Sequence, residues 1–177
     1  MDNVFEYYEG RFGLPDRQAD FKSPAGTAIE VFKWSEDRSG EGVAIYATSG
    51  ASHIFGDDAL GCEFFLGLTP EADDIVHALA EAALHGSGSP KVPDFGDSIA
   101  LSYNLWQGTE ARSFLFTNGD EIIQPTKIGS KELRFIQLVP LFDSELSYKK
   151  SKGEIALWKK FEEMTIPYWS STRKRAF

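Results

Sequence analysis

The segment LRFIQLVPL, Leu133 to Leu141, constrains the fold of this chain more than any other stretch. It is the strongest β pattern in the sequence, with Ile136, Leu138 and Phe142 supplying one face. Pro140 has no N–H to give to a ladder, so it marks the end of the strand or a bulge. At DSEL, Asp143 or Ser144 then starts a turn or short helix, and a helical pattern runs from about Gly153 to Met164. Leu157 and Phe161, one turn apart, can return that helix to the sheet, joined by Trp158 one step round. A strand turning sharply into a helix is also how a nucleophile elbow is built, but no Gly-x-Ser-x-Gly occurs here. The junction therefore reads as a structural seam.

Upstream, Val4, Phe5, Tyr8 and Phe12 recur near helical spacing, with Asp2 or Asn3 as the cap and Gly13-Leu14-Pro15 as the stop. Thr27–Trp34 sets Ile29, Val31 and Lys33 against Glu30, Phe32 and Trp34, as a strand would. A turn-rich stretch, Ser35 to Gly42, implies a hairpin into a second strand at Val43–Thr48. Leu60–Leu68 gives a third strand, with Cys62, Phe64 and Leu66 on one face. Thr69-Pro70-Glu71 is read as opening a helix, Thr69 capping and proline tolerated at its start, that runs from about Glu71 to Leu84 with Ile75, Val76, Leu79, Ala82 and Ala83 as its stripe. The loop from Gly86 to Pro90 is a flexible connector, and Ser98–Leu105 and Ser113–Thr117 are further strands. Strands in runs with a few helices between them predict an α+β domain with a mixed or mostly antiparallel sheet.

The chain has 177 residues, room for one domain, and a chain of that size folds without disulfides or a structural metal. With 42% hydrophobic and 25% charged residues it has the composition of a folded protein, not a disordered one. The net charge of −9 argues against nucleic acid and anionic membranes and suits a basic protein partner. Cys62 is the sole cysteine, so no internal disulfide forms. The N-terminus lacks a basic stretch followed by an apolar one, and no apolar run is long enough to span a bilayer. A cytoplasmic location is expected. The basic tail Arg173-Lys174-Arg175 is read as a solvated end.

Candidate chemistry is sparse. Ser49, Ser52, His53, Asp57 and Asp58 crowd together in sequence and are the residues a hydrolase would use. A triad, however, is assembled by geometry from separate elements, and a turn whose side chains bind their own backbone is the plainer reading. The histidines at 53, 77 and 85 do not have metal-ligand spacing, and Cys62 reads as a small buried apolar group. No cofactor is implied. The acidic groups Asp57-Asp58, Glu71 with Asp73-Asp74, and Asp120-Glu121 read as solvated faces or cap charges.

Two segments carry a resemblance. VAIYATSGASHIFGDDALGCEFFLGLTPE, Val43 to Glu71, and FIQLVPLFDSEL, Phe135 to Leu146, resemble the suppressor-of-fused domain family of bacteria and animals. The first matches a strand, a Ser-Gly turn, an acidic loop and a Glu-containing strand; the second matches an apolar block before a helix. The likeness is strongest over residues 27–163, with residues 1–25 as a terminal helix or arm and 165–177 as a tail of one domain, 1–177. It implies a non-enzymatic protein-binding domain. Single-domain bacterial relatives of this kind point to an immunity protein neutralising a toxin, and a scaffold for an extended peptide is a further reading. In the animal member an aromatic and an acidic residue after the turn contact the partner. By that match Ser52, His53, Phe55, Asp57 and Asp58 form the partner-binding loop, with Phe55 (in place of a tyrosine) and Asp57 at the contacting positions; Phe55 as a plain core residue is the alternative reading.

Overall fold

The computed structural model describes residues 3–23, 26–85 and 90–177. The elements run α1 (Val4–Phe12), β1 (Arg17–Lys22), β2 (Ala28–Trp34), α2 (Glu36–Ser39), β3 (Ala44–Ser49) and a 3-10 turn (Ala51–His53). There follow β4 (Leu60–Leu68), α3 (Ile75–Leu84), β5 (Ser98–Ala100), β6 (Ser113–Asn118), β7 (Thr126–Ile128), β8 (Lys131–Leu141), α4 (Asp143–Lys152) and α5 (Glu154–Glu163). Among the described residues eight strands form one sheet, ordered β1-β2-β3-β4-β8-β6-β5, with β7 pairing β8 beside β6. Every pairing is antiparallel except β4 with β8. The α+β expectation is met.

Helices cover both faces of the sheet. On one, α3 packs over β2–β4, and Cys62, Phe64, Leu66, Ile136 and Leu138 share its core with Leu105 and Trp106. On the other, α1 sets Tyr8 and Phe12 against Phe32, Trp34, Phe65 and Phe135. Beside it, α4 and α5 bring Leu146, Leu157 and Phe161 onto Leu115, Val139 and Leu141. The strict alternation in β8, even positions to the α3 side and odd to the other, is why this one segment fixes so much. Asn3, not Asp2, is the observed cap of α1: its side chain accepts from the Glu6 N–H at 2.9 Å. Asp2 and the 86–89 connector lie outside the described residues.

Pro140 stands within β8 opposite Phe114 of β6. The pairing of β4 with β8 ends at Gln137, so beyond it one side of β8 is an edge, where a residue without an N–H is tolerated.

Four expectations need correction. The helix before Leu84 starts at Ile75, four residues after Glu71, because the intervening groups are bound elsewhere. The Thr69 N–H donates to Trp169 O at 3.0 Å, its hydroxyl donates to Glu36, and Glu71 and Asp73 bind the Lys33 ammonium. Glu71 and Asp73 are thus ion-pair partners of a buried lysine, beyond cap charges. The strand at Ser98 ends at Ala100, after which the chain turns and Leu101, Leu105 and Trp106 enter the core. The tail is not a solvated end: the Arg173 side chain is 5% exposed and pairs with buried Glu145. Strand β1 has no counterpart in the sequence reading.

The Lys33 cluster predicts a pH dependence. Burial opposes ionisation of Asp73, yet hydrogen bonds from Lys33 and Tyr46 and the charge of Arg17 hold its carboxyl below the ordinary range. Burial likewise opposes the Lys33 ammonium, but Asp73 and Glu71 raise its pKa overall. A lowered carboxyl contributes stability above its unfolded pKa of about 3.9 and loses it as pH falls through the folded value. A raised ammonium contributes below about 10.4 and loses it as pH rises further. Lys33→Met is expected to cost about 1–2 kcal/mol at pH 7, discounted because both carboxylates are about 40% exposed. It should also flatten the acid limb below about pH 4. Urea midpoints between pH 3 and 7 check this, and parallel curves for the two proteins would contradict it.

Candidate functional site

The 49–58 segment owes its shape to one buried carboxylate. Glu63, on β4, accepts the Gly50 and Ser52 N–H groups on Oε1, each at 3.0 Å. Its Oε2 accepts the Thr48 hydroxyl at 2.7 Å and the Ala51 N–H at 3.1 Å. Burial pushes the Glu63 carboxyl up, and these donors pull it back. Three successive N–H groups aimed at one carboxylate force the chain to curl as it leaves β3, which produces the 3-10 turn. Gly50 makes this possible: its φ is +112°, and a Cβ there would lie 2.6 Å from the Ala28 carbonyl oxygen.

The turn sorts the five expected site residues into two sets. Ser52 and Phe55 point inward; Phe55 is 6% exposed and sits edge-on against Phe64 at 5.3 Å. His53, Asp57 and Asp58 are exposed. Asp57 Oδ1 accepts the Leu60 N–H at 2.9 Å and the Ala59 N–H at 2.8 Å, and these bonds hold its carboxyl below the usual range. Among the described residues, His53 makes no hydrogen bond to Ser49, Ser52, Asp57 or Asp58, so the nucleophile–base contact of a triad is not assembled.

Two grooves meet at this loop. One, of about 410 Å³, runs between the end of α3 and β5, with Phe55, Val92, Asp97 and Ile99 among its walls. The other, of about 520 Å³, is walled by Gly56, Asp57, Lys91, Val92 and Arg134. Lys91 and Val92 line both. Strand β5 is the last in the sheet, so among the described residues its outer edge has no strand partner. Sequence reasoning missed Lys91, Val92, Asp97 and Ile99 as site residues. The available signal was Pro90-Lys91-Val92-Pro93, two prolines that hold a segment extended beside a short strand.

Among the described residues no group of three His, Cys, Asp or Glu side chains could hold a metal ion. Cys62 is buried; burial and then the Glu63 charge push its thiol up, away from reactivity. Among the described residues no helix is long and apolar enough to cross a membrane.

The fold has solved counterparts. A suppressor of fused homologue from Neisseria gonorrhoeae superposes with a TM-score of 0.74 at 19% identity, covering 98% of this chain and 94% of that one. The Sufu–Fu complex gives 0.72 at 14% identity, with 98% and 91% covered. Drosophila Suppressor of Fused gives 0.73 at 13% identity over 99% of this chain, which spans 50% of the Drosophila chain. At such identities the likeness is one of fold. No curated protein matches the chain. The sequence model of the suppressor of fused protein (SUFU) matches residues 26–174, from just before β2 to just past the buried Arg173 side chain. The chain belongs to the suppressor of fused family.

Proposed function

We propose that this chain is a non-enzymatic protein-binding domain whose partner seats in the two grooves that meet at Phe55–Asp58. The observation that carries the reading is the open edge of β5 running along a groove that the 52–58 loop closes at one end. An extended segment can add to such an edge as a further strand, with its side chains filling the groove. His53, Asp57 and Asp58 form the exposed rim, while Phe55 and Ser52 support it from within. Family membership supports the reading, since a related fold has been solved as the Sufu–Fu complex.

The partner is a basic protein, for which a net charge of −9 provides electrostatic steering. In a cytoplasmic, single-domain member, the role is that of an immunity protein neutralising a toxin domain. One sheet serving three core clusters from α1 to the tail supports a single domain over the whole chain.

The test is capture of partners by the tagged protein from cells of its source, read by mass spectrometry, beside Asp58→Lys and Asp94→Lys, the latter in the wall of the second groove. Both positions are exposed, so the variants should keep the wild-type thermal midpoint. A dominant partner whose recovery falls about tenfold or more in either variant is the expected result. Recovery unchanged in both would remove the grooves from the interface. A partner without toxin character would retire the immunity role and leave the binding role standing.

A further inference from the structure

The groove under the C-terminal tail is chemically unlike the two at the partner loop. It has a volume of about 500 Å³ and lies where the chain reverses after α5, walled by Trp158, Phe161, Glu162, Ile166, Tyr168 and Trp169. Tyr168 stands at 79° to Trp158, with centroids 5.3 Å apart, and at 82° to Trp169, with centroids 4.9 Å apart. Tyr168 thus stands edge-on to both indoles, and all three rings line one space. Trp169 is 43% exposed, so its indole is accessible from solvent.

The rings are held firmly. The Trp158 indole N–H donates to Glu154 at 3.1 Å. The backbone of Trp169 is tied to the sheet, its carbonyl accepting the Thr69 N–H at 3.0 Å while Ser171 N–H donates to Thr69 O at 3.0 Å. Thr165, in the groove wall, takes φ of +52°, a left-handed conformation that a β-branched residue adopts only under constraint.

The one guanidinium near the rings, that of Arg173, lies 5.6 Å from the Phe161 ring centre and is committed to Glu145. Among the described residues Glu162 is the only charged one in the wall. Glu121 is close enough that its charge adds to burial in raising the Tyr168 phenol. The neighbouring lysines are engaged elsewhere: Lys160 lies over the rings of Tyr148 and Phe177, and Lys159 pairs with Glu163. Aromatic faces with a carboxylate at the rim attract a cation through the ring quadrupoles and the carboxylate charge together.

We propose that this groove is a second binding site, for a cationic side chain, arginine or lysine, presented by a protein segment. The site is separate from the grooves at β5 and does not depend on the function proposed for them.

The experiment uses the whole protein with ¹⁵N-labelled indoles, titrated with tetramethylammonium chloride and, separately, with tert-butyl alcohol, its neutral counterpart in shape, at matched ionic strength. The Trp158 and Trp169 indole N–H signals are expected to shift with tetramethylammonium at about two- to fivefold lower concentration than with the alcohol. Trp34, whose indole is bonded to Gly13 O, should not respond. Glu162→Gln, at an exposed position that leaves the fold intact, should reduce the preference. Equal responses to the two probes, or no response of either indole, would overturn the assignment.

Discussion

Glu63→Gln is expected to lower the stability of this protein by about 2–4 kcal/mol, although the two side chains have the same shape. Each oxygen of Glu63 accepts two donors, four in all. Whichever way the amide is turned, its NH₂ faces a pair of groups that also donate. With the NH₂ at Oε1, the Gly50 and Ser52 N–H groups lose their acceptor. With it at Oε2, the Thr48 hydroxyl can turn to accept, but the Ala51 N–H is left alone. A buried donor without an acceptor costs about 1–3 kcal/mol, so one or two of them set the range. Urea unfolding at pH 7 measures the loss. Limited proteolysis locates it, with new cleavage expected between Ser49 and Asp58 if the turn opens before the sheet does. An unchanged urea midpoint would mean that the turn holds its shape without the carboxylate.

This carboxylate also explains how far the sequence could be read. The 52–58 loop was legible through its Ser-Gly turn and its likeness to a family block. The direction of each side chain was not, because Glu63 lies eleven residues beyond Ser52 and gathers its N–H groups across the sheet. Where patterns are local they held. In α1, the Asn3 cap, the Tyr8–Phe12 face and the Gly13 stop are all within one short stretch. In β2, β4 and β8 each side chain alternates between two helix-covered faces. Strand β1 failed for the opposite reason: RQADFK shows only Ala19 and Phe21 half-buried, and it becomes a strand by pairing with β2. The groove at β5 was illegible because it joins Phe55, the end of α3 and the 91–100 segment, and no single stretch records all its sides; the groove under the tail lies within residues 158–169, but its shape depends on how the chain reverses after α5.

The tail was the largest misreading, and it leads to the second large effect. Arg173→Met is expected to cost about 3–5 kcal/mol, because it leaves the fully buried Glu145 carboxylate without its cation. The guanidinium grips Glu145 with both terminal nitrogens, at 2.7 and 2.9 Å, and Nη2 also donates to Pro140 O at 2.7 Å. It lies over the Phe142 ring at 4.8 Å, so methionine keeps part of the packing and removes the charge. Glu145 itself accepts the Phe142 N–H at 3.0 Å and the Ala176 N–H at 2.9 Å, joining the start of α4 to the end of the tail. A nearby apolar replacement for both partners is far less costly than a single orphaned charge. The double variant Arg173→Met with Glu145→Gln should therefore lose less than the two single variants added together, a coupling that urea unfolding resolves. Strict additivity would show that the pair is not a pair. Where the damage falls also matters. If Arg173→Met frees the tail while the sheet survives, the Ser171 and Ala176 amides should exchange first and the Trp169 emission should shift to the red. The cation response under the tail would then disappear while partner capture at β5 persisted, since the tail fixes only the first of these sites. Loss of both together would mean that the strap stabilises the whole sheet, through the pairing of Thr69 at the end of β4 with Trp169 and Ser171.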